Sequence, residues 1–190
     1  IAHGARILRA KVESLTIRGG RLRAVNVQSA DGDHAVSTDA FVVAAGPYIK
    51  DVAALAGVEL PVVNELHAKI AFRDHLRVVP RDAPMMIWSD PVMLPWSKFE
   101  RDEVASSPDT RWLVDELPGG VHFRTEGGAD SPVLLMLWTY DVDPVDPVWP
   151  PQCDPFYAEV VLRGMTRMIP GLASYIGRSA RPVSYTHLRA

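Results

Sequence analysis

Thr38-Asp39-Ala40-Phe41-Val42-Val43-Ala44-Ala45-Gly46-Pro47-Tyr48 is the stretch on which the fold turns. From Phe41 to Ala45 its apolar run does not alternate with polar residues, which is the pattern of a strand buried on both faces of a parallel sheet. Only small residues stand at its end. Ala44, Ala45 and Gly46 let backbone come close to a bulky planar or phosphorylated ligand at the carboxyl edge of such a sheet, the edge where these sheets bind their ligands. After Pro47, apolar positions at Ile49, Val52, Ala53 and Ala56 fall at helical spacing, and Gly57 supplies the stop.

Upstream, Ala5 to Ile17 and Arg21 to Ser29 are rich in Val, Leu and Ile, with Gly19-Gly20 between them, and read as a hairpin. A polar connector at Asp31-Gly32-Asp33 leads to a further short strand at His34 to Thr38. Downstream, Pro61 opens a region of frequent prolines and longer loops. There the sequence predicts one long strand at Val62 to Phe72, a short one at Met85 to Trp88, and a hairpin of Val121 to Arg124 with Val133 to Tyr140 around Gly127-Gly128. Thr110 to Leu117 reads as a short helix. Pro155 to Met168 reads as a better one, with Asp154 as N-cap and Phe156, Val160, Val161, Met165 and Met168 on one side. Asp141 to Pro151, rich in proline and aspartate, is a loop by composition. The fold class expected is α/β in its first part and α+β overall.

Composition narrows the function classes. A net charge of -3 and a pI near 6.1, with no basic block or stripe, remove nucleic acid as the expected partner. The longest apolar stretch, Val133 to Trp138, falls far short of the ~20 residues of a membrane span, so no span is expected. Cys153 is the one cysteine, which excludes an internal disulfide and cysteine-based metal sites and points to a reducing, cytoplasmic setting. It has no cationic neighbour in sequence to lower its pKa, and reads as an inert thiol. Asp141, Asp143 and Asp146 lack the glycine and terminal glutamate of a calcium loop, so no metal is expected. Dinucleotide, phosphate-loop, nucleophile-elbow and zinc-protease motifs are all missing from the sequence.

The two ends read differently from the rest. Ile1 enters a strand-like pattern with no arm or signal peptide before it, so the chain is expected to be an internal piece of a longer protein. Val183 to Ala190, Val-Ser-Tyr-Thr-His-Leu-Arg-Ala, resembles the translation of a transposon-end sequencing adapter, and Tyr185 and His187 are therefore left out of site reasoning. A natural tail is the alternative.

In order along the chain, several segments resemble the D-amino-acid oxidase superfamily of FAD-dependent oxidoreductases, which includes sarcosine and dimethylglycine dehydrogenases and glycine oxidases. They are Gly4 to Leu8, Lys11 to Leu15, Gly20 to Val27, Asp39 to Pro47, Ala53 to Val62, and Gly120-Val121-His122-Phe123-Arg124-Thr125-Glu126-Gly127. In the last of these, Thr125 departs from the family's usual proline. The resemblance implies a partial FAD-binding, Rossmann-like sheet domain with a β-meander at Ile1 to Leu60. It implies an antiparallel-sheet substrate domain with flanking helices at Pro61 to Pro182. It further implies an enzyme that oxidises a small amine or amino acid by hydride transfer to flavin, with the glycine fingerprint of the family lying upstream of Ile1. Two alternatives stand beside it: a flavoenzyme of another substrate class, such as a 2-hydroxyacid or polyol-phosphate dehydrogenase, and a non-enzymatic binding domain.

Carried over residue by residue, Val12 matches a strand valine that meets the adenine, against the plain reading of a strand valine. Ala44, Ala45, Gly46 and Pro47 match the strand end beside the cofactor. On the substrate side, His67 and Lys69 alternate with Leu66, Ala68 and Ile70, so they share a sheet face that either lines a cavity or is solvated. Arg124 shares a face with His122. Its planar fork suits a substrate carboxylate, while Glu126 two residues on offers it a purely structural partner. Trp88, Trp96 and Trp138 read as core or loop anchors.

Overall fold

Gly19 and Gly20 both take left-handed backbone, with φ of 60° and 71°. That pair of positive angles is the two-residue turn whose twist matches the flanking strands, here β1 (Ala10–Arg18) and β2 (Arg21–Ser29). β3 (Gly32–Ser37) pairs antiparallel with β2, giving a three-stranded meander in the order β1-β2-β3. Val12 lies opposite Val27 and Leu15 opposite Val25, so the buried valines of β2 meet half-buried residues of β1. The computed structural model describes residues 4–177 and 183–186. The chain divides between Asn64 and Glu65 into two compact units, four residues beyond the expected boundary at Leu60.

Two expectations for the first unit are corrected. Residues 5–9 precede the ladder, and Ile7 and Leu8 are exposed. Residues 41–45 form no strand with any described residue: Phe41, Val43 and Ala45 are half-buried, whereas Val42 is 85% exposed. A strand buried on both faces needs a neighbour at each edge. The strands described in this unit are joined only as an antiparallel meander, so the expected parallel sheet has no ladder here. The helix that follows matches its sequence signal. A 3-10 turn at Gly46–Tyr48 runs into α1 (Ile49–Ala54), and Gly57, with φ 72°, closes it: Gly57 N–H donates to Ala54 and Val58 N–H to Ala53.

The second unit is built on an antiparallel sheet of β4 (Ala68–Arg73), β5 (Met86–Trp88), β8 (Val121–Glu126), β9 (Val133–Leu137) and β10 (Val183–Thr186), and a separate ribbon pairs β6 (Val92–Met93) with β7 (Glu116–Leu117). The sheet's order is β10-β4-β9-β8-β5. Ile70, Phe72, Val121, Phe123, Leu134 and Met136 alternate onto one buried face. Helix α2 (Lys98–Ser106) lies between β6 and β7 in the chain, and α3 (Tyr157–Met165) contributes buried Val160, Val161 and Met165 to the same core and packs on β8 and β9. A side chain at Gly164 would overlap the indole of Trp138, so glycine is what lets helix and sheet come this close.

Several predicted boundaries move for identifiable reasons. The long strand predicted over Val62 to Phe72 begins only at Ala68, because its partner β9 ends at Leu137, opposite Lys69. β9 in turn stops short of Tyr140 because the Trp138 N–H leaves the ladder and donates to the Tyr157 hydroxyl at 3.0 Å. The helix predicted at Thr110 to Leu117 is a 3-10 turn at Arg111–Val114 followed by β7. α3 starts two residues after Pro155; Asp154 accepts from the Phe156 N–H at 2.8 Å, but Phe156 holds the cap position. Val183–Thr186, the start of the segment that resembles a translated adapter, pairs with the edge of β4, and the rest of that tail falls outside the described residues. α2 was not anticipated, although Ser97 and Glu100 form a reciprocal capping box at its start.

Arg163 is the one buried guanidinium among the described residues, and it joins the two helices. It donates to Glu159 at 2.9 Å, Glu100 at 2.6 Å and the Pro95 carbonyl at 2.7 Å, and lies 3.9 Å over the Trp96 ring. Hydrogen bonds from Ser97, with Arg163 beside it, hold the Glu100 carboxyl at about 2 against an ordinary 4.5. The folded-state value is depressed, so the stability Glu100 adds is present above 4.5 and is lost as pH falls toward 2. Acid titration of thermal stability should therefore steepen across that window, and Glu100→Gln should flatten it; an unchanged profile contradicts the linkage. Gly164→Ala should lower stability by about 1–3 kcal/mol through overpacking against Trp138, whereas Gly128→Ala, with nothing within 4 Å but φ 64°, should show only backbone strain. Denaturant midpoints of the two variants provide the check.

Candidate functional site

The residues expected to meet a cofactor lie in the first unit on separate elements. Val12 sits in β1, half-buried, with its backbone in the ladder to Val27. Ala44 is exposed, Ala45 half-buried, and Gly46 has φ 55° with no atom within 4 Å of where a Cβ would stand. The Pro47 carbonyl accepts a hydrogen bond from the Asn64 amide at 3.0 Å. Among the described residues no hydrogen bond joins Val12 to residues 44–47. The small side chains leave room for a close approach at Gly46, which suits a planar ligand, but no described strand–helix turn offers the row of N–H groups that a pyrophosphate needs. The described residues therefore offer open space at Gly46 and no cradle for a pyrophosphate.

In the second unit, His67 stands before β4 rather than on it, with Nε2 3.0 Å from Glu65 Oε2. Lys69 lies on β4 opposite Leu137, and His122 lies opposite the same leucine from β8. Arg124 is one pair further along, opposite Leu135. By strand alternation Lys69, His122 and Arg124 share the sheet face turned away from α3, around half-buried Leu135 and Leu137. The structure thus brings Lys69 and Arg124 to one face and leaves His67 off the strand. Arg124 pairs with Glu126 at 2.8 Å and is 54% exposed.

Sequence reasoning missed a cleft of about 900 Å³ in the second unit. Four separated segments line it: Leu66 and Ala68; Asp109 and Trp112; Tyr140 to Val145; and Gln152 to Tyr157. Three rings form one wall. Trp112 and Tyr140 lie 5.5 Å apart between centroids and Tyr140 and Tyr157 5.7 Å apart, tilted by 34° and 31°. Each ring has its polar atom satisfied within the protein: Trp112 Nε1 donates to the Asp109 carbonyl at 2.9 Å, Tyr140 to Asp154 Oδ2 at 2.9 Å, and Tyr157 to the Ala68 carbonyl. What they offer the cleft is therefore apolar surface. Asp109, Asp141, Asp143 and Asp154 also line it, and among the described residues no lysine, arginine or histidine does.

The phenols carry the mark of that environment. Burial raises the Tyr140 pKa well above its ordinary value, with the Asp154 carboxylate adding to the effect, and burial pushes Tyr157 up to about 12. Both stay protonated donors at neutral pH. Asp74, the one buried acid among the described residues, is occupied structurally: it accepts from the N–H groups of Val78 and Val79 and from the Tyr175 hydroxyl. Among the described residues no group of acids and histidines is disposed to hold a metal ion, and no helix is long and apolar enough to cross a membrane.

No protein-family model, curated protein or solved structure matches this chain. Its residues alone carry the functional reading.

An exposed pair such as Arg124–Glu126 contributes little on its own. Arg124→Gln and Glu126→Gln, singly and together, should show a coupling of less than about 1 kcal/mol in a double-mutant cycle of unfolding free energies. A larger coupling makes the pair an essential brace of the β8–β9 turn.

Proposed function

We propose that this chain is part of a FAD-dependent oxidoreductase that oxidises an amine or amino acid. The observation that carries the reading is the segment at residues 41–45. It is apolar throughout, pairs with no described strand, leaves Val42 85% exposed, and ends in Ala44-Ala45-Gly46 with open space at Gly46. Such a segment acquires its partners in a parallel sheet, and its small-residue end then lies where that sheet receives a dinucleotide. The order of parts agrees with the resemblance: antiparallel meander, apolar segment, short helix, then an antiparallel sheet closed by a helix on one face.

In this reading FAD, when bound, supplies the acceptor for a hydride from the substrate carbon. The chain's own contribution is steric and electrostatic. Ala44 to Pro47 allow close approach, and the sheet face offers the charge of Lys69 beside apolar Leu135 and Leu137, with Arg124 held by Glu126.

Purification of the longer reading frame containing this chain should give a protein with stoichiometric FAD, identified by its absorbance and by mass spectrometry of the released cofactor. The 190-residue chain mixed with excess FAD and then desalted should retain none. Replacing Gly46 by valine in the longer protein should abolish retention. A longer protein without flavin overturns the reading, and stoichiometric flavin on the 190-residue chain overturns the division of the site.

A further inference from the structure

The cleft beside Tyr140 has a chemistry that the flavin reading leaves unused. Its size, about 900 Å³, is that of a small-molecule site. One wall is the row of rings Trp112, Tyr140 and Tyr157, whose polar atoms are all engaged inside the protein. These rings present hydrocarbon held in place by hydrogen bonds, so they favour an apolar body and cannot satisfy a polar one.

The remaining lining sets the sign of charge. Asp154 is already used, with one oxygen accepting from Tyr140 and the other from the Phe156 N–H. Asp141 accepts from the Asp143 N–H at 3.0 Å. The side chains of Asp109 and Asp143 have no hydrogen-bond or ion-pair partner among the described residues, and none of the four carboxylates forms an ion pair with a described basic residue. A ligand entering here meets carboxylates that no described cation pairs with, next to aromatic surface. That combination favours a cation carrying hydrocarbon, since aromatic and carboxylate groups both attract an ammonium. It disfavours any ligand with its own carboxylate, which would be brought against like charges.

We propose that this cleft binds an organic monocation, an alkyl or benzylic ammonium, and excludes zwitterionic amino acids. The site goes beyond the flavin reading and requires no flavin, so it is tested without one. Three probes of one shape separate the contributions: benzylammonium has the charge and the ring, benzyl alcohol the ring alone, and phenylglycine the charge together with a carboxylate.

Titration calorimetry of the 190-residue chain at neutral pH and low salt should show a single site for benzylammonium, about tenfold or more tighter than for either other probe. Affinity should fall as salt rises, because Asp109 and Asp143 are exposed and screened. The double variant Asp109→Asn, Asp143→Asn should lose about tenfold in benzylammonium affinity while its thermal unfolding stays where it was, both positions lying on the surface. Equal affinity for all three probes, or tighter binding of phenylglycine, overturns the proposal, as does no benzylammonium binding. Binding of benzylammonium here with no FAD on the longer protein would leave this site standing and remove only the flavin reading.

Discussion

One oxygen atom sets much of the second unit. The Tyr157 hydroxyl accepts from the Trp138 N–H and donates to the Ala68 carbonyl, so the first turn of α3, the end of β9 and the start of β4 meet at a single point. Burial of Val160, Val161 and Met165 against the sheet supplies most of the driving force, but it is non-directional and does not choose where a strand stops. The hydroxyl does. By taking the Trp138 N–H it ends the β9 ladder, turns the chain toward Tyr140 and places the three rings in one row. Burial pushes the phenol's pKa up to about 12, so it is a protonated donor at neutral pH.

The other end of α3 is held by charge. Arg163 has a closed set of partners in two carboxylates, a carbonyl and the face of Trp96, which is the condition under which a buried guanidinium is tolerated. Because Glu100 also closes the capping box of α2, the two helices share one ionic group. A comparable device follows β4, where Asp74 accepts from two backbone N–H groups and from Tyr175, fixing the turn that leaves the sheet. Buried polar groups in this unit act as fasteners at element ends, and the cleft lies where the elements fastened by Tyr157 diverge.

The hairpins were legible in the sequence because period-two apolar patterns flanked glycine pairs at Gly19-Gly20 and Gly127-Gly128, and both turns use positive φ. The core face of α3 was legible for the same kind of reason. α2 was not, since none of its residues is buried and it has no apolar stripe, leaving only the Ser97–Glu100 spacing as a signal. Residues 41–45 carried the composition of a buried strand but lack a partner in the described structure, because composition reports what a segment can bury and not whether a neighbour is present. The cleft was invisible for a topological reason: its lining comes from segments up to about ninety positions apart, between Leu66 and Tyr157. Singly, Asp141 and Asp143 read as a solvated loop, and nothing in the sequence set Trp112, Tyr140 and Tyr157 apart. Lys69 and Arg124 reached a common face as alternation requires, while His67 fell outside the strand that β9 is long enough to support.

The two functional readings rest on different parts of the chain, one on an unpaired apolar segment in the first unit, the other on an aromatic and acidic cleft in the second. The second unit, as a fixed frame around the proposed cation site, is open to direct sight. A crystal structure of the chain grown with benzylammonium should show the ammonium nitrogen at ion-pairing distance from Asp109 or Asp143, with its ring against Trp112 and Tyr140 and the Tyr157 hydroxyl still joining Trp138 to Ala68. Density for the probe only outside the cleft, or a cleft whose ring row has come apart, contradicts the account.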